Sequence, residues 1–222
     1  LAVTAHEDGV LLYDISNQAN PQLLTTLDSE NAWTVHLTDN YIYVGDESTL
    51  SIYSSNDYSI ITNIELPNSI KDIKSDSDYL YIALGTDGVM AMDITNTIPS
   101  IIDTYNTSAL ANRLDILENK VAVCDWDDVE VLQINNNTLE KVGYKNTTRR
   151  TMAIATKDNY IYSAEWASVQ IFEFNTIQGP DIDLSAYELN YPLVEDGESY
   201  TLSLDVTNNG NSALLFSEAY TT

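Results

Sequence analysis

The chain has 222 residues, 44% of them hydrophobic, with nine Lys plus Arg against 34 Asp plus Glu and a formal charge of −25. That apolar fraction can fill a sizeable core and excludes wholesale disorder. The negative field repels phosphate backbones and anionic lipid, which argues against nucleic-acid partners, and no apolar run approaches the roughly 18 residues that membrane insertion needs.

Leu1, Ala2, Val3 and Thr4 read as the middle of a strand, so the chain is expected to be cut from something longer. Similar runs begin at Tyr41, Tyr79, Lys120 and Tyr160, at successive intervals of 40, 38, 41 and 40 residues. A short polar link follows each, then a second β-rich run starting at Val10, Leu50, Val89, Val129 and Val169. A third run ends at Leu27, Leu66, Tyr105 and Tyr144, 39 residues apart each time. A fourth, at 33–37, 70–73, 113–117 and 151–155, precedes the next Tyr-type run. Tyr, Ile, Val and Thr dominate the runs, Asn, Asp, Gly and Ser punctuate them, and no segment sustains a 3.6-residue apolar period.

Four strands in about 40 residues predict an all-β fold, a β-propeller of four-stranded blades. With strands labelled A to D outward from the channel, the first blade lacks A and the fifth, ending near Asn175, lacks D. About five blades are visible and the set is expected to be incomplete, with closure by these five alone as the alternative. The single cysteine, Cys124, follows Val121, Ala122 and Val123 and is expected to be a small buried hydrophobe.

Two copies are closely alike. Asp8-Gly9-Val10-Leu11-Leu12-Tyr13-Asp14-Ile15-Ser16 is followed by Asn20-Pro21, and Asp87-Gly88-Val89-Met90-Ala91-Met92-Asp93-Ile94-Thr95 by Pro99. These segments resemble the LVIVD repeat of bacterial and archaeal cell-surface propellers. The resemblance covers about residues 1–175; the other copies lack the proline and have drifted to Tyr53-Ser54-Ser55, Leu132-Gln133-Ile134 and Phe172-Glu173-Phe174. It implies an extracellular or cell-surface module of a larger multidomain protein, without established catalytic residues.

Gln178-Gly179-Pro180 is a breaker cluster, which places a first domain at 1–176 and a second at 177–222. Strands are predicted over 183–189, 200–206 and 213–216, with a hairpin turn at Asn208-Asn209-Gly210-Asn211. Residues 197–214 resemble the opening of bacterial immunoglobulin-like domains of the hydin type. Such a sandwich needs about 100 residues, so a partial β-sandwich is expected here.

In a propeller the B–C links and the D–A links share one face, where ligands usually bind. His6, Asp46, Asp125 and Glu165 read as occupying the same place in four of the five B–C links; Glu47 follows Asp46, and Trp126 and Trp166 follow two of the others. Carboxylates beside aromatic faces suit sugars, cationic side chains or a bound cation. The competing reading is that the acids fill solvated turns and the tryptophans plug gaps between blades.

Asp125-Trp126-Asp127-Asp128 and Asp76-Ser77-Asp78 alternate as calcium loops do, but lack the glycine and distal glutamate of an EF-hand. No metal is therefore assigned, and calcium is the one cofactor left open. His6 and His36 belong to different blades, which argues against a zinc site with two histidines. Neither a Gly-x-Ser-x-Gly elbow nor a phosphate loop is present. Arg149 and Arg150, a local basic spot, are expected to pair with carboxylates. The sequence points to a non-enzymatic binding or scaffolding module of a larger bacterial surface or secreted protein, recognising a protein or carbohydrate partner on its loop face. The alternatives are a hydrolase or lyase at the channel mouth, drawing on His36, Asp72 and Asp115, and a ligand-free structural spacer.

Overall fold

Strands apolar on both faces must bury both, and here they do so by stacking sheet against sheet. The computed structural model describes residues 1–147, 149–175, 182–184 and 201–208. Blade 1 is the sheet β1 (Ala2–Thr4), β2 (Val10–Asp14), β3 (Gln22–Leu27). Blade 2 is β4 (Ala32–Leu37), β5 (Tyr41–Asp46), β6 (Thr49–Ser54), β7 (Ile60–Glu65). Blade 3 is β8 (Asp72–Ser75), β9 (Tyr79–Ala83), β10 (Val89–Asp93), β11 (Ser100–Tyr105). Blade 4 is β12 (Arg113–Leu117), β13 (Lys120–Cys124), β14 (Asp128–Asn135), β15 (Thr138–Asn146), and blade 5 is β16 (Thr151–Lys157), β17 (Tyr160–Glu165), β18 (Val169–Glu173). Pairing within each blade is antiparallel and follows chain order. The all-β repeat architecture is the one its 40-residue period predicts.

A bulge recurs at one place in the C–D pairing of four blades, just after Leu12, Ile52, Ala91 and Val131. It marks these residues as equivalents, and their B-strand partners are Ala2, Tyr43, Tyr81 and Ala122. Ala2 therefore matches Tyr43, whereas the sequence alignment matched Val3 to it. The B–C link of blade 1 is longer by the one residue that makes up the difference.

Four apolar clusters fill the seams between consecutive blades. Strand-C residues at two alternating positions point toward the following blade: Val10 and Leu12, Leu50 and Ile52, Val89 and Ala91, Val129 and Val131, none more than 4% exposed. Each of the larger ones contributes about 1.5–3 kcal/mol by leaving water. Their counterparts in blade 5, Val169 and Ile171, are 68% and 60% exposed. Cys124 lies in the seam between blades 4 and 5, where its Sγ–H donates to the Thr151 carbonyl at 2.9 Å, and burial pushes the thiol pKa up to about 12.

Neighbouring A strands share no backbone ladder, so side chains join them. Asp72 accepts the Leu114 N–H at 2.9 Å, and Asp115 accepts the Thr156 N–H at 2.6 Å and its hydroxyl at 3.1 Å. Between blades 2 and 3, His36 Nε2 lies 2.8 Å from Ser75 Oγ. The Asp-Ile-Ser and Asp-Ile-Thr runs serve as turns: Asp14 accepts the Ser16 N–H and Asp93 the Thr95 N–H, each at 2.8 Å. Gly9 and Gly88 sit at φ 76° and 74°, close under the chain, and a Cβ there would meet Leu27 O at 2.2 Å or Tyr105 O at 2.1 Å.

The chain divides into two compact units, Leu1–Phe174 and Asn175–Thr222. In the second, β19 (Ile182–Leu184) pairs antiparallel with β20 (Val206–Asn208). Of the strand expected over 200–206, residues 201–205 are described and form no strand, and only Val206 enters β20, which runs on into Asn208 where the turn was expected to begin. The rest of that turn, residues 185–189 of the strand expected over 183–189, and the strand at 213–216 lie outside the described residues. Among the described residues no helix is long and apolar enough to cross a membrane.

Three substitutions test the close approaches and the inner ties. Gly85→Ala and Gly88→Ala both place a Cβ at positive φ, which costs about 1–2 kcal/mol. Only at Gly88 does that Cβ strike backbone, so G88A lowers the urea midpoint more than G85A does. Asp115→Ala strips the Thr156 N–H of its acceptor and is expected to cost about 2 kcal/mol by the same measurement.

Candidate functional site

Four of the B–C links place a left-handed residue at one equivalent position: His6 (φ 49°), Glu47 (φ 48°), Gly85 (φ 61°) and Trp126 (φ 86°) in blades 1 to 4. This residue reaches the next blade through its backbone. His6 bridges to Ala32 and Gly85 to Ala111, the Glu47 carbonyl accepts from Ile70 N at 2.6 Å, and the Trp126 carbonyl accepts from Thr151 N at 2.9 Å. His6 therefore matches Glu47, Gly85 and Trp126, one place beyond the carboxylates with which sequence spacing aligns it. Ala5 and Leu84 take the carboxylate position in the two longer links, which close alike through Ala5 N to Gly9 O and Leu84 N to Gly88 O, both 2.8 Å.

The carboxylates fasten loops. Asp46 accepts from Ser29 Oγ at 2.8 Å and Glu30 N at 3.1 Å, and Asp125 repeats this with Ser108 Oγ at 2.8 Å and Ala109 N at 3.1 Å. Each thus holds down the D–A link that enters its own blade. Glu165 accepts from Ser168 Oγ at 3.0 Å and from Gln170 Nε2. Asp125 is fully buried and Glu165 nearly so, and neither presents its charge to solvent.

Two groups of candidates do meet on the face. The first is an acidic recess of about 450 Å³ lined by Glu7, Glu30, Asn31, Asp46 and Glu47, with Ser48 and Thr49 at its side. Asn31 donates to Glu47 Oε1 at 3.1 Å and lies 3.2 Å from His6 Nδ1. Trp33, 48% exposed, meets His6 edge-on at 5.6 Å, and Lys71 Nζ lies 5.9 Å from its ring centre. Sequence reasoning passed over Trp33 because it opens a strand; the register shift between Ala32 and Thr34 is what lets it stand clear. The second group is a shallow depression of about 380 Å³ formed by Trp166, Arg149 and Arg150. Arg150 lies over the Trp126 ring at 4.9 Å; its expected pairing with a carboxylate is not seen among the described residues.

A third cluster lies beneath the face, in blade 4. Asp125, Asp128 and Glu130 are buried and each offers one oxygen within 4.8 Å of the others. Ser108 Oγ donates to Asp128 Oδ2 at 3.1 Å, Asp128 N donates to Asp125 Oδ1 at 3.2 Å, and Lys141 Nζ lies 3.3 Å from Glu130 Oε1. Asp128 Oδ1 and Glu130 Oε2 are buried with no partner among the described residues. Burial pushes both carboxyls above the usual range, and Asp128 is raised further by the facing Asp125. Glu130 escaped the sequence reading because it sits inside an apolar strand run. The other acidic triplet is an A–B turn, in which Asp76 Oδ1 accepts the N–H of Asp78 at 2.9 Å and of Tyr79 at 2.8 Å.

The inner-strand residues His36, Asp72 and Asp115 come from three successive blades and are engaged in the ties described above. Burial, with Lys74 adding to it, depresses the His36 pKa to about 4.

Comparison with known proteins agrees with this geometry. The LVIVD repeat model matches residues 30–52 and 69–107. The match takes in the second of the two alike copies and part of the drifted blade 2, and leaves residues 8–27 unmatched. No curated protein matches the chain. Among solved structures, the Myceliophteria thermophila Cps50 (Swd1) β-propeller domain superposes with a TM-score of 0.64 at 10% identity, covering 78% of this chain and 66% of that one. The first unit is a repeat β-propeller. The computationally designed Ika8 protein is similar at a TM-score of 0.66 and 13% identity, covering 78% of this chain and 55% of that one. A functionally unknown protein from Desulfotomaculum acetoxidans DSM 771 gives 0.64 at 14% identity, with 78% and 62% covered. This propeller chain thus spans between about half and two thirds of those three structures, and at such identities the likeness shows fold alone.

The buried imidazole yields a test with a definite sign. His36 is favoured neutral in the fold, so its stabilisation is complete above its ordinary pKa of 6.5 and is lost as pH falls from there toward about 4. NMR titration should place its midpoint well below that of an exposed histidine. The melting temperature of H36Q should fall less steeply than that of the wild type across the same interval.

Proposed function

We propose that this propeller is a non-catalytic binding or scaffolding module of a larger bacterial surface or secreted protein. Its partner presents a cationic group to the B–C and D–A loop face. The observation that carries this reading is the acidic recess around Glu7, Glu30, Asp46 and Glu47, with the exposed Trp33 linked to it through His6 and Asn31. Carboxylates on a solvent-open concavity attract an ammonium or guanidinium, and the nearby Trp33 indole, with Lys71 Nζ 5.9 Å from its ring centre, is a face on which a cation stacks. The overall charge of −25 steers a basic partner toward the same surface. Lysine and arginine side chains of a protein supply this chemistry more directly than a neutral sugar does.

Support for a non-catalytic role comes from the channel side. Asp72 and Asp115 accept backbone N–H groups of the following blade, and His36 is bonded to Ser75. These side chains are occupied as fasteners rather than converging on a reacting atom. An extracytoplasmic address follows from the resemblance of the repeats to surface propellers, as does membership of a larger protein.

Titration with oligolysine and oligoarginine, read through tryptophan fluorescence, tests the recess. Binding should weaken about tenfold or more when Glu7→Gln and Glu47→Gln are combined, and should fade in about 0.5 M NaCl. Binding undiminished by either change, or binding of oligosaccharides in place of cationic peptides, overturns the assignment. Turnover of a chromogenic ester or glycoside that disappears in His36→Ala would return the enzyme reading.

A further inference from the structure

We propose that Asp125, Asp128 and Glu130, together with Ser108 Oγ, form a buried binding site for one divalent cation, and that calcium is the ion its chemistry suits. The site is independent of the acidic recess: it lies under the face, in blade 4, where the D–A link entering that blade meets the B–C link.

Three observations converge. Asp125, Asp128 and Glu130 each place an oxygen within 4.8 Å of the others, the spacing of ligands around a single ion. Asp128 Oδ1 and Glu130 Oε2, on side chains of residues only 2% and 0% exposed, have no hydrogen-bond partner among the described residues. Native interiors rarely leave such atoms unpaired, and an ion is among the standard reasons when they do. Third, the three buried carboxyls carry a formal charge of −3 when ionised, and the one ammonium against them, Lys141, is itself 40% exposed, so a divalent cation supplies the compensation that the interior lacks. Buried charge left uncompensated is strongly unfavourable, and pairing or metal coordination is how folded proteins avoid it.

Donor chemistry narrows the ion. Every ligand is oxygen, which selects a hard cation over zinc or copper. The one nearby sulfur, Cys124 Sγ, points the other way, to the Thr151 carbonyl. Calcium tolerates an irregular set of carboxylate and hydroxyl oxygens, whereas magnesium holds out for near-octahedral geometry and keeps more of its water. Because Ser108 belongs to the D–A link and Asp125 to the B–C link, a bound ion would cross-link two loops on the face.

The test uses the whole chain, stripped with a chelator and returned to metal-free buffer. Adding Ca²⁺ to a hundredfold excess over its dissociation constant should raise the melting temperature by about 5 °C or more, with Mg²⁺ less effective. Tb³⁺ should show luminescence sensitised by Trp126, next to Asp125, and Ca²⁺ should displace it. Asp128→Asn and Glu130→Gln should each lose both effects, while Asp39→Asn, at an exposed acid elsewhere, should keep them. An equal rise in D128N or E130Q would mean general screening of a −25 surface and would overturn the site. So would the absence of any response to Ca²⁺, Mg²⁺ and Mn²⁺, because the carboxylates would then be held by protons alone. If D128N does not fold, the E130Q comparison and calorimetric titration of the wild type with Ca²⁺ decide the matter by the same two outcomes.

Discussion

One left-handed residue, at an equivalent place in each of four B–C links, hands the backbone of one blade to the next. His6, Glu47, Gly85 and Trp126 all perform this task, although their side chains have nothing in common. For the three that are not glycine, the conformation costs about 1–2 kcal/mol, offset by backbone hydrogen bonds to the following blade. Because the tie is made by N–H and C=O groups, the side chain is released to the surface. The same position is therefore the most constrained in backbone and the least constrained in chemistry. A repeat protein that must keep its frame while changing what it displays can vary such positions freely.

Behind that face, the blades are held by two other kinds of contact. Apolar C-strand residues close each seam by leaving water, and Asp72 and Asp115 join inner strands that share no ladder. The acids of the B–C links belong to the same scheme, since Asp46 and Asp125 clamp the incoming D–A links in matching fashion. Much of what looks like an acidic recognition surface in the sequence is thus internal fastening. Among the acids of the B–C links, Glu7, Asp8, Glu47 and Asp127 stay exposed to meet a partner.

The frame was legible because its causes are periodic. Strand runs recurring near 40 residues, Asp-Ile-Ser turns and Asp-Gly links all leave a mark in one dimension. What escaped was set by register and direction. A one-residue difference in link length displaced His6 from its true equivalents and Ala2 from Tyr43. Trp33 sits at a register shift that composition does not reveal, and Glu130 sits among valines, where an apolar neighbourhood hid a charged side chain. Asp125 and Glu165 were found by spacing, but only the fold shows that their carboxylates turn inward. Beyond Asn175 the strand predicted by alternation over 200–206 begins only at Val206 among the described residues, and β20 continues through Thr207 and Asn208 toward the expected turn.

Cys124 is the only thiol in the chain, and it is sealed in the seam between blades 4 and 5 with its proton held by burial and by the Thr151 carbonyl. No alkylating or disulfide reagent reaches that sulfur until the two blades part. Its rate of labelling under native conditions is therefore a clock for the breathing of one seam, read without introducing a probe. The cysteine that contributes least to chemistry is the one that reports how tightly the repeat is joined.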